Sequence, residues 1–245
     1  MRPEIAFLLV VVVFGFVMMG VYRTTAAGAA DPRDRTGRGG SFVLGFWVRN
    51  WFYWLIRPVT RASVALRLTP LFYNLVAVAC GLASMLAYAT GHFPTAGWLV
   101  FLSGLADVFD GEVARATGTA DARGAFLDST LDRFSEFFAF IGLAYYFASG
   151  WQAVAIVVAL GGSLLVSYAR ARGESVGVLC KVGVMQRAER MLLLGLASIL
   201  DPWLCAWRAW TAGTIVAACV AVIAVGTLWT SVHRTLWIAR ALKGK

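Results

Sequence analysis

Uncharged apolar residues run unbroken from 5 to 22, and after a polar stretch six long, mainly apolar segments follow: 70–90, 95–117, 122–148, 152–172, 187–200 and 211–236. The breaks fall at 91–94, 117–120, Gly150, the polar run 173–186 and Asp201-Pro202, where Gly, Pro and charged residues punctuate the pattern. Runs of this length and continuity predict membrane-crossing helices. Residues 41–68 differ: Trp47, Trp51, Phe52, Tyr53 and Trp54 are interspersed with Arg49, Arg57, Arg61 and Arg67. Arginines cost roughly 2.5–3.5 kcal/mol each at the bilayer centre, so this mixture predicts a helix lying in the headgroup region. The pattern as a whole predicts an all-α integral membrane protein. Residues 1–40 form an amino-terminal anchor and polar linker, 41–68 an interfacial juxtamembrane helix, and 69–245 a six-helix transmembrane domain. A cleaved signal peptide is the competing reading of 5–22, but signal cores run only about 7–15 residues.

Composition strengthens the membrane reading. Of 245 residues 60% are apolar and 14% charged, against roughly 25% charged in an average soluble domain. The net charge of +9 does not imply nucleic acid, because the 22 Lys and Arg lie in short groups between apolar runs. Anionic lipid or phosphorylated substrates fit that arrangement better. Placing residues 23–40 in the cytoplasm and alternating thereafter leaves only Arg2 and Arg208 of the basic residues outside, as cytoplasmic enrichment of Lys and Arg requires. Four dispersed cysteines without a CxxC and two separated histidines argue against zinc, a disulfide framework or a Ser-His-Asp triad.

The chemistry concentrates in one place. Six of the thirteen acids lie between Asp107 and Asp132. Asp107, Asp110, Gly111 and Ala114 stand at i, i+3, i+4 and i+7, one stripe of a helix; Gly124, Asp128 and Asp132 stand at i, i+4 and i+8, a stripe of the next. A short turn near Gly118 makes the helices antiparallel neighbours, so four carboxylates can meet at the cytoplasmic boundary. They would repel one another unless cations neutralise them. Oxygen ligands without histidine or cysteine favour Mg²⁺, Mn²⁺ or Ca²⁺ over zinc, and Mg²⁺ typically completes its shell with substrate phosphates; two divalent ions would balance four charges. Gly111, Ala114 and Gly124 leave room for a bulky group, and Arg115 offers a positive charge to phosphate oxygens. Asp121 and Glu112 fall off the stripes and fit a structural role, a helix cap or an arginine partner.

In full, the segment Asp107-x-x-Asp110-Gly111-x-x-Ala114-Arg115, eight residues, Gly124-x-x-x-Asp128-x-x-x-Asp132 resembles the signature of the CDP-alcohol phosphotransferases at every fixed position. The resemblance implies six spans after an interfacial helix, over about residues 41–245. It also implies a homodimer and transfer of a substituted phosphate from a CDP-linked donor, usually CDP-diacylglycerol, to a small polar acceptor with release of CMP. Carried over by position, Asp107, Asp110, Asp128 and Asp132 would hold metal. Asp132 would also be general base, and Gly111, Ala114, Arg115 and Gly124 would contact the CDP moiety. Two features depart from the family pattern. Thr69-Pro70 is followed by Leu71 where many relatives have Asn, with Asn74 one turn later, and the amino-terminal span is additional.

The acceptor region resembles that of bacterial phosphatidylinositol-phosphate synthases. The run Ser167-Tyr168-Ala169-Arg170-Ala171-Arg172 and the run Arg187-Ala188-Glu189-Arg190 match its Ser-Tyr-x-Lys-Ala-Arg and Arg-Ala-Glu-Arg segments, with Arg170 for Lys. The resemblance implies that Ser167, Arg170, Arg172, Arg187 and Arg190 hold an acceptor phosphate, as inositol phosphate would supply. Ordinary cytoplasmic positive charge accounts for the same arginines, and glycerol phosphate, inositol and serine stay open as acceptors. A cation- or proton-coupled transporter is the reading from another class; it would call for inverted repeats and broken helices, which the sequence lacks.

Overall fold

In the computed structural model the described residues are 3–25, 46–180 and 182–243, and they are helical with short connections. The helices are α1 (Pro3–Thr25), α2 (Phe46–Ala65), α3 (Pro70–Ala89), α4 (Phe93–Thr117), α5 (Ala122–Tyr146), α6 (Gly150–Ser175), α7 (Arg187–Arg208) and α8 (Thr214–Lys243). Most of the expected polar linker, with the first residues of the expected interfacial helix, lies outside the described residues. The chain divides into two compact units, 1–68 and 69–245. In the first, α1 and α2 pair through Tyr22 and Trp54, whose ring centroids are 5.6 Å apart. Arg57 and Arg61 of α2 are exposed.

The second unit is a six-helix bundle in which α3 packs on α4 and α5, α6 on α8, and α7 on α4 and α8. Five helices, α1, α3, α6, α7 and α8, are long and apolar enough to cross a membrane by length and composition. The remaining core helices, α4 and α5, have 25 residues each, about 37 Å of helix; they carry the acidic motif, which takes them outside that apolar set. Leu86, Val157, Val225 and Trp229 are exposed, the outward apolar face of a protein surrounded by lipid.

Local chemistry explains the helix ends that position the site. Thr69 caps α3, its Oγ1 accepting from Phe72 N at 3.2 Å, with Pro70 opening the first turn. Gly118 ends α4 at φ 69°, a left-handed conformation that glycine adopts without a Cβ clash. Asp121 then caps α5, its Oδ1 accepting from Gly124 N at 2.6 Å. The apolar core, with Tyr88, Phe93, Phe140, Leu143, Ile156 and Ile223 almost wholly buried, joins the end of α3 to the starts of α4 and α8 and the end of α5. It occupies the half of the bundle away from the carboxylates. On α4 and α7 the backbones themselves approach, since a Cβ on Gly97 would lie 2.6 Å from Gly195 O.

One expected break is corrected by the structure. Asp201-Pro202 does not end the sixth apolar element; α7 continues through Pro202 to Arg208. The proline removes one helical hydrogen bond, while Asp201, fully buried, turns its carboxylate onto the start of α8. Its Oδ1 accepts from Gly213 N at 2.8 Å and its Oδ2 from Ile215 N at 3.0 Å and Val216 N at 3.3 Å. Asp201→Ala strands these buried donors, and we expect it to destabilise the protein by about 2–4 kcal/mol. Thermal melting in detergent measures this; an unchanged midpoint would exclude the capping role.

Candidate active site

The two acidic stripes meet as their spacing requires. Asp107 and Asp110 lie on the last turns of α4, and Asp128 and Asp132 on the first turns of α5, joined by the tight connection at Gly118. Oxygens of Asp107, Asp110 and Asp128 lie within 4.8 Å of one another. Asp110 is buried, and Oδ1 of Asp128 is buried with no hydrogen-bond partner. Three converging carboxylates, one of them with an orphaned oxygen, repel unless a cation joins them. An all-oxygen donor set of this kind fits a hard divalent cation such as Mg²⁺ or Mn²⁺.

Asp132 adjoins that trio on the Asp107 side. Its Oδ2 is in direct ion-pair contact with Nη1 of Arg187, which also lies 3.4 Å from Asp107 Oδ2. Arg187 Nη2 donates to the Asp132 backbone carbonyl at 3.1 Å. Arg187 is the first residue of α7, and the packing of α7 on α4 brings it there. The expectation placed Arg187 on the acceptor; the structure puts its guanidinium inside the carboxylate cluster, bridging Asp132 and Asp107.

Beside the trio opens a cleft of about 210 Å³ between the starts of α3 and α5 and the end of α4. Gly111, Ala114, Arg115 and Gly124 all border it, together with Asp110 and Asp128. Arg115 pairs with Glu112, Nη2 to Oε1 at 2.7 Å, and keeps 42% of its side chain exposed. A Cβ on Gly111 would lie 3.1 Å from Arg115 Nη1, so the glycine lets the guanidinium fold back along the helix. Asn74, one turn beyond Pro70, is buried and borders the same cleft.

The acceptor-side expectations separate. Arg190, expected at the acceptor, is 1% exposed, and its Nε and Nη2 donate to Glu136 Oε1 and Oε2 at 2.7 and 2.9 Å while Nη1 donates to Met185 O at 3.1 Å. Ser167 is half-buried, and Arg170 and Arg172 are exposed, with local contacts to Glu174 and Ser175. Glu136 escaped sequence reasoning although the signal was present: it stands at i+4 from Asp132 and extends the α5 stripe by one turn.

Comparison with known proteins matches this site to one family. Residues 67–237 match the family model described as CDP-alcohol phosphatidyltransferase. The archaetidylinositol phosphate synthase of Methanothermobacter thermautotrophicus is 36% identical over 171 residues, 68% of this chain and 80% of that protein. The phosphatidylinositol phosphate synthase of Mycobacteroides abscessus is 31% identical over 157 residues, 62% and 71% of the two chains. Crystal structures of Mycobacterium tuberculosis phosphatidylinositol phosphate synthase superimpose at 25% identity. The form with CDP-DAG bound gives a TM-score of 0.65 and covers 74% of this chain and 92% of that one. The complex with manganese and citrate gives 0.66, covering 74% and 87%.

Proposed function

Because the chain belongs to the CDP-alcohol phosphatidyltransferase family, we propose that it transfers a phosphatidyl group from CDP-diacylglycerol to a hydroxyl of an inositol phosphate, releasing CMP. The observation that carries the reading is the convergence of Asp107, Asp110 and Asp128 beside the cleft, with the Asp132–Arg187 pair adjoining it. The relatives' names support the acceptor, and the CDP-DAG complex of the tuberculosis enzyme supports the donor.

Asp107, Asp110 and Asp128 would hold two divalent ions, Mg²⁺ or Mn²⁺, with Asp132 completing the site, and the bound ions would supply charge neutralisation for the donor's pyrophosphate and for the phosphoryl group in transfer. Gly111, Ala114 and Gly124 admit the cytidine end of the donor into the cleft, and Arg115 swings from Glu112 to its phosphates. Asp132 accepts the proton of the acceptor hydroxyl. The hydroxyl oxygen then bonds to the lipid-side phosphorus, and the bond from that phosphorus to the bridging oxygen breaks, so that CMP departs with the electron pair. Arg187 pairs with Asp132 and shares the acceptor phosphate with Ser167, Arg170 and Arg172. Residues 1–40 anchor the chain, 41–68 lie along the headgroups, and 69–245 form the catalytic domain of a homodimer. The site faces the cytoplasm at the inner membrane, on the side where the basic residues gather.

The test is CMP release by purified protein in lipid with CDP-diacylglycerol and Mg²⁺, adding inositol phosphate, glycerol phosphate, inositol or serine singly. Inositol phosphate alone should support release. Turnover with another alcohol would overturn the acceptor and leave the reaction class standing. Chelation with EDTA should abolish release, and Mg²⁺ or Mn²⁺ should restore it and raise the melting temperature; activity persisting in the chelator would remove the metal from the scheme.

A further inference from the structure

Gly226, Thr230, Arg234 and Ile238 are spaced four apart on α8 and share one face. On that face sits the connection between α6 and α7. Met185 N donates to Thr230 Oγ1 at 3.2 Å. Arg234 Nε donates to Val182 O at 2.7 Å, and its Nη1 donates to Val166 O at 3.0 Å. A Cβ on Gly226 would lie 2.7 Å from Met185 Cε, and one on Gly173 would lie 2.8 Å from Ile238 Cδ1. Gly183 has φ 128°, and a Cβ there would collide with Thr230 Cγ2, so this loop fits the stripe only with glycine at that position.

Thr230 and Arg234 are buried, at 0% and 3% exposure, and among the described residues no carboxylate forms a salt bridge with Arg234. Burying a guanidinium in an apolar helix is costly, and among the described residues its hydrogen bonds go to backbone carbonyls. Those carbonyls lie just ahead of the two segments expected to meet the acceptor: Val166 directly precedes Ser167, and Val182 leads through Met185 to Arg187. From Met185 O the connection passes to Arg190 and then to Glu136, one turn beyond Asp132. The cleft beside the metal trio is bordered by α3, α4, α5 and the α4–α5 connection, and by no residue of α6, α7 or α8.

We propose that Arg234, seconded by Thr230, is a positioning residue for the acceptor half of the site, holding the Ser167–Arg172 run and the Arg187 end of α7 in register. The inference rests on the acceptor reading above and adds residues that neither motif contains. Because the seat avoids the donor cleft, its loss should separate the two substrates kinetically.

The experiment uses the full chain in lipid nanodiscs with Arg234→Met, Arg234→Lys and Thr230→Val. CMP release is titrated separately with inositol phosphate and with CDP-diacylglycerol. In parallel, maleimide labelling of Cys180, a 1% exposed thiol in the same connection, is followed by peptide mass spectrometry without any need for turnover. Arg234→Met should raise the acceptor KM by about 10-fold or more, the scale of one charged hydrogen bond, while the donor KM stays within about 2-fold. Cys180 labelling should accelerate. Arg234→Lys should fall between, because an ammonium is a poorer fit to two separated carbonyls. Thr230→Val, which removes one acceptor oxygen at nearly constant volume, should shift both readouts in the same direction and keeps the test alive if Arg234→Met does not fold. Equal rises in both KM values would mean general loosening and overturn the proposal, as would an unchanged acceptor KM with faster labelling. If the wild-type chain prefers another alcohol, the acceptor named above fails by itself and the same KM split with that alcohol decides this inference. Absence of turnover with every alcohol would overturn both, and the labelling would then report only on the packing of the loop.

Discussion

Asp132→Asn should lower CMP release by about 10²–10⁴-fold, the range for removal of a general base, with binding of CDP-diacylglycerol retained. The substitution keeps the shape of the side chain and removes its proton affinity and its charge. In the structure Asp132 is not one of the three carboxylates whose oxygens lie within 4.8 Å of one another, and Arg187 engages it directly. The trio therefore survives the change, while Arg187 keeps Asp107 and the Asp132 backbone carbonyl as partners. A metal-binding readout, such as the melting shift with Mn²⁺, should move far less than for Asp128→Asn, which removes an oxygen with no other bond. Full activity of Asp132→Asn would take the proton-accepting role away from it. A collapse of metal affinity equal to that of Asp128→Asn would make it a ligand first and a base second.

The second large effect is on stability. Arg190 and Glu136 form a bidentate pair at 1% and 5% exposure. Breaking a buried pair from one side leaves an uncompensated charge, so Arg190→Met and Glu136→Leu should each cost about 3–5 kcal/mol. The double replacement puts two apolar side chains where both charges stood, and it should recover most of the loss. Melting of the four proteins in one detergent yields the coupling. Additive losses would show that the two side chains act independently, contrary to the geometry. The double variant also lacks the Arg190 contact to Met185 O, so restored stability with a raised acceptor KM is its expected signature.

The carboxylate cluster was largely legible in the sequence, and the placement of the arginines of α7 was not. Asp107, Asp110, Asp128 and Asp132 could be placed together because helical spacing is local and the connection at Gly118 is short, leaving two antiparallel helices little freedom. The same logic set Asp121 and Glu112 off the stripes as residues that cap a helix or pair with an arginine; the structure makes the first a cap and pairs the second with Arg115. Arg187 and Arg190 stand three apart on one turn, and spacing alone treats them as equals. The fold sends one to the carboxylates and the other to Glu136, a partner 54 residues away in the chain. Asp201-Pro202 reads locally as a terminus, yet the aspartate serves another helix and the proline is tolerated within α7.

From the sequence alone come the helices, the membrane setting, the two stripes and the family, since apolar runs, i+3 and i+4 spacing, turn residues and a fixed motif all act over a few residues. Only the tertiary structure decides which cations stand in the carboxylate cluster, which are buried as ties, and that Arg234 meets carbonyls 52 and 68 residues away. Those choices depend on which helix faces pack together, and packing is settled by shape and by the cost of leaving a buried charge or carbonyl without a partner.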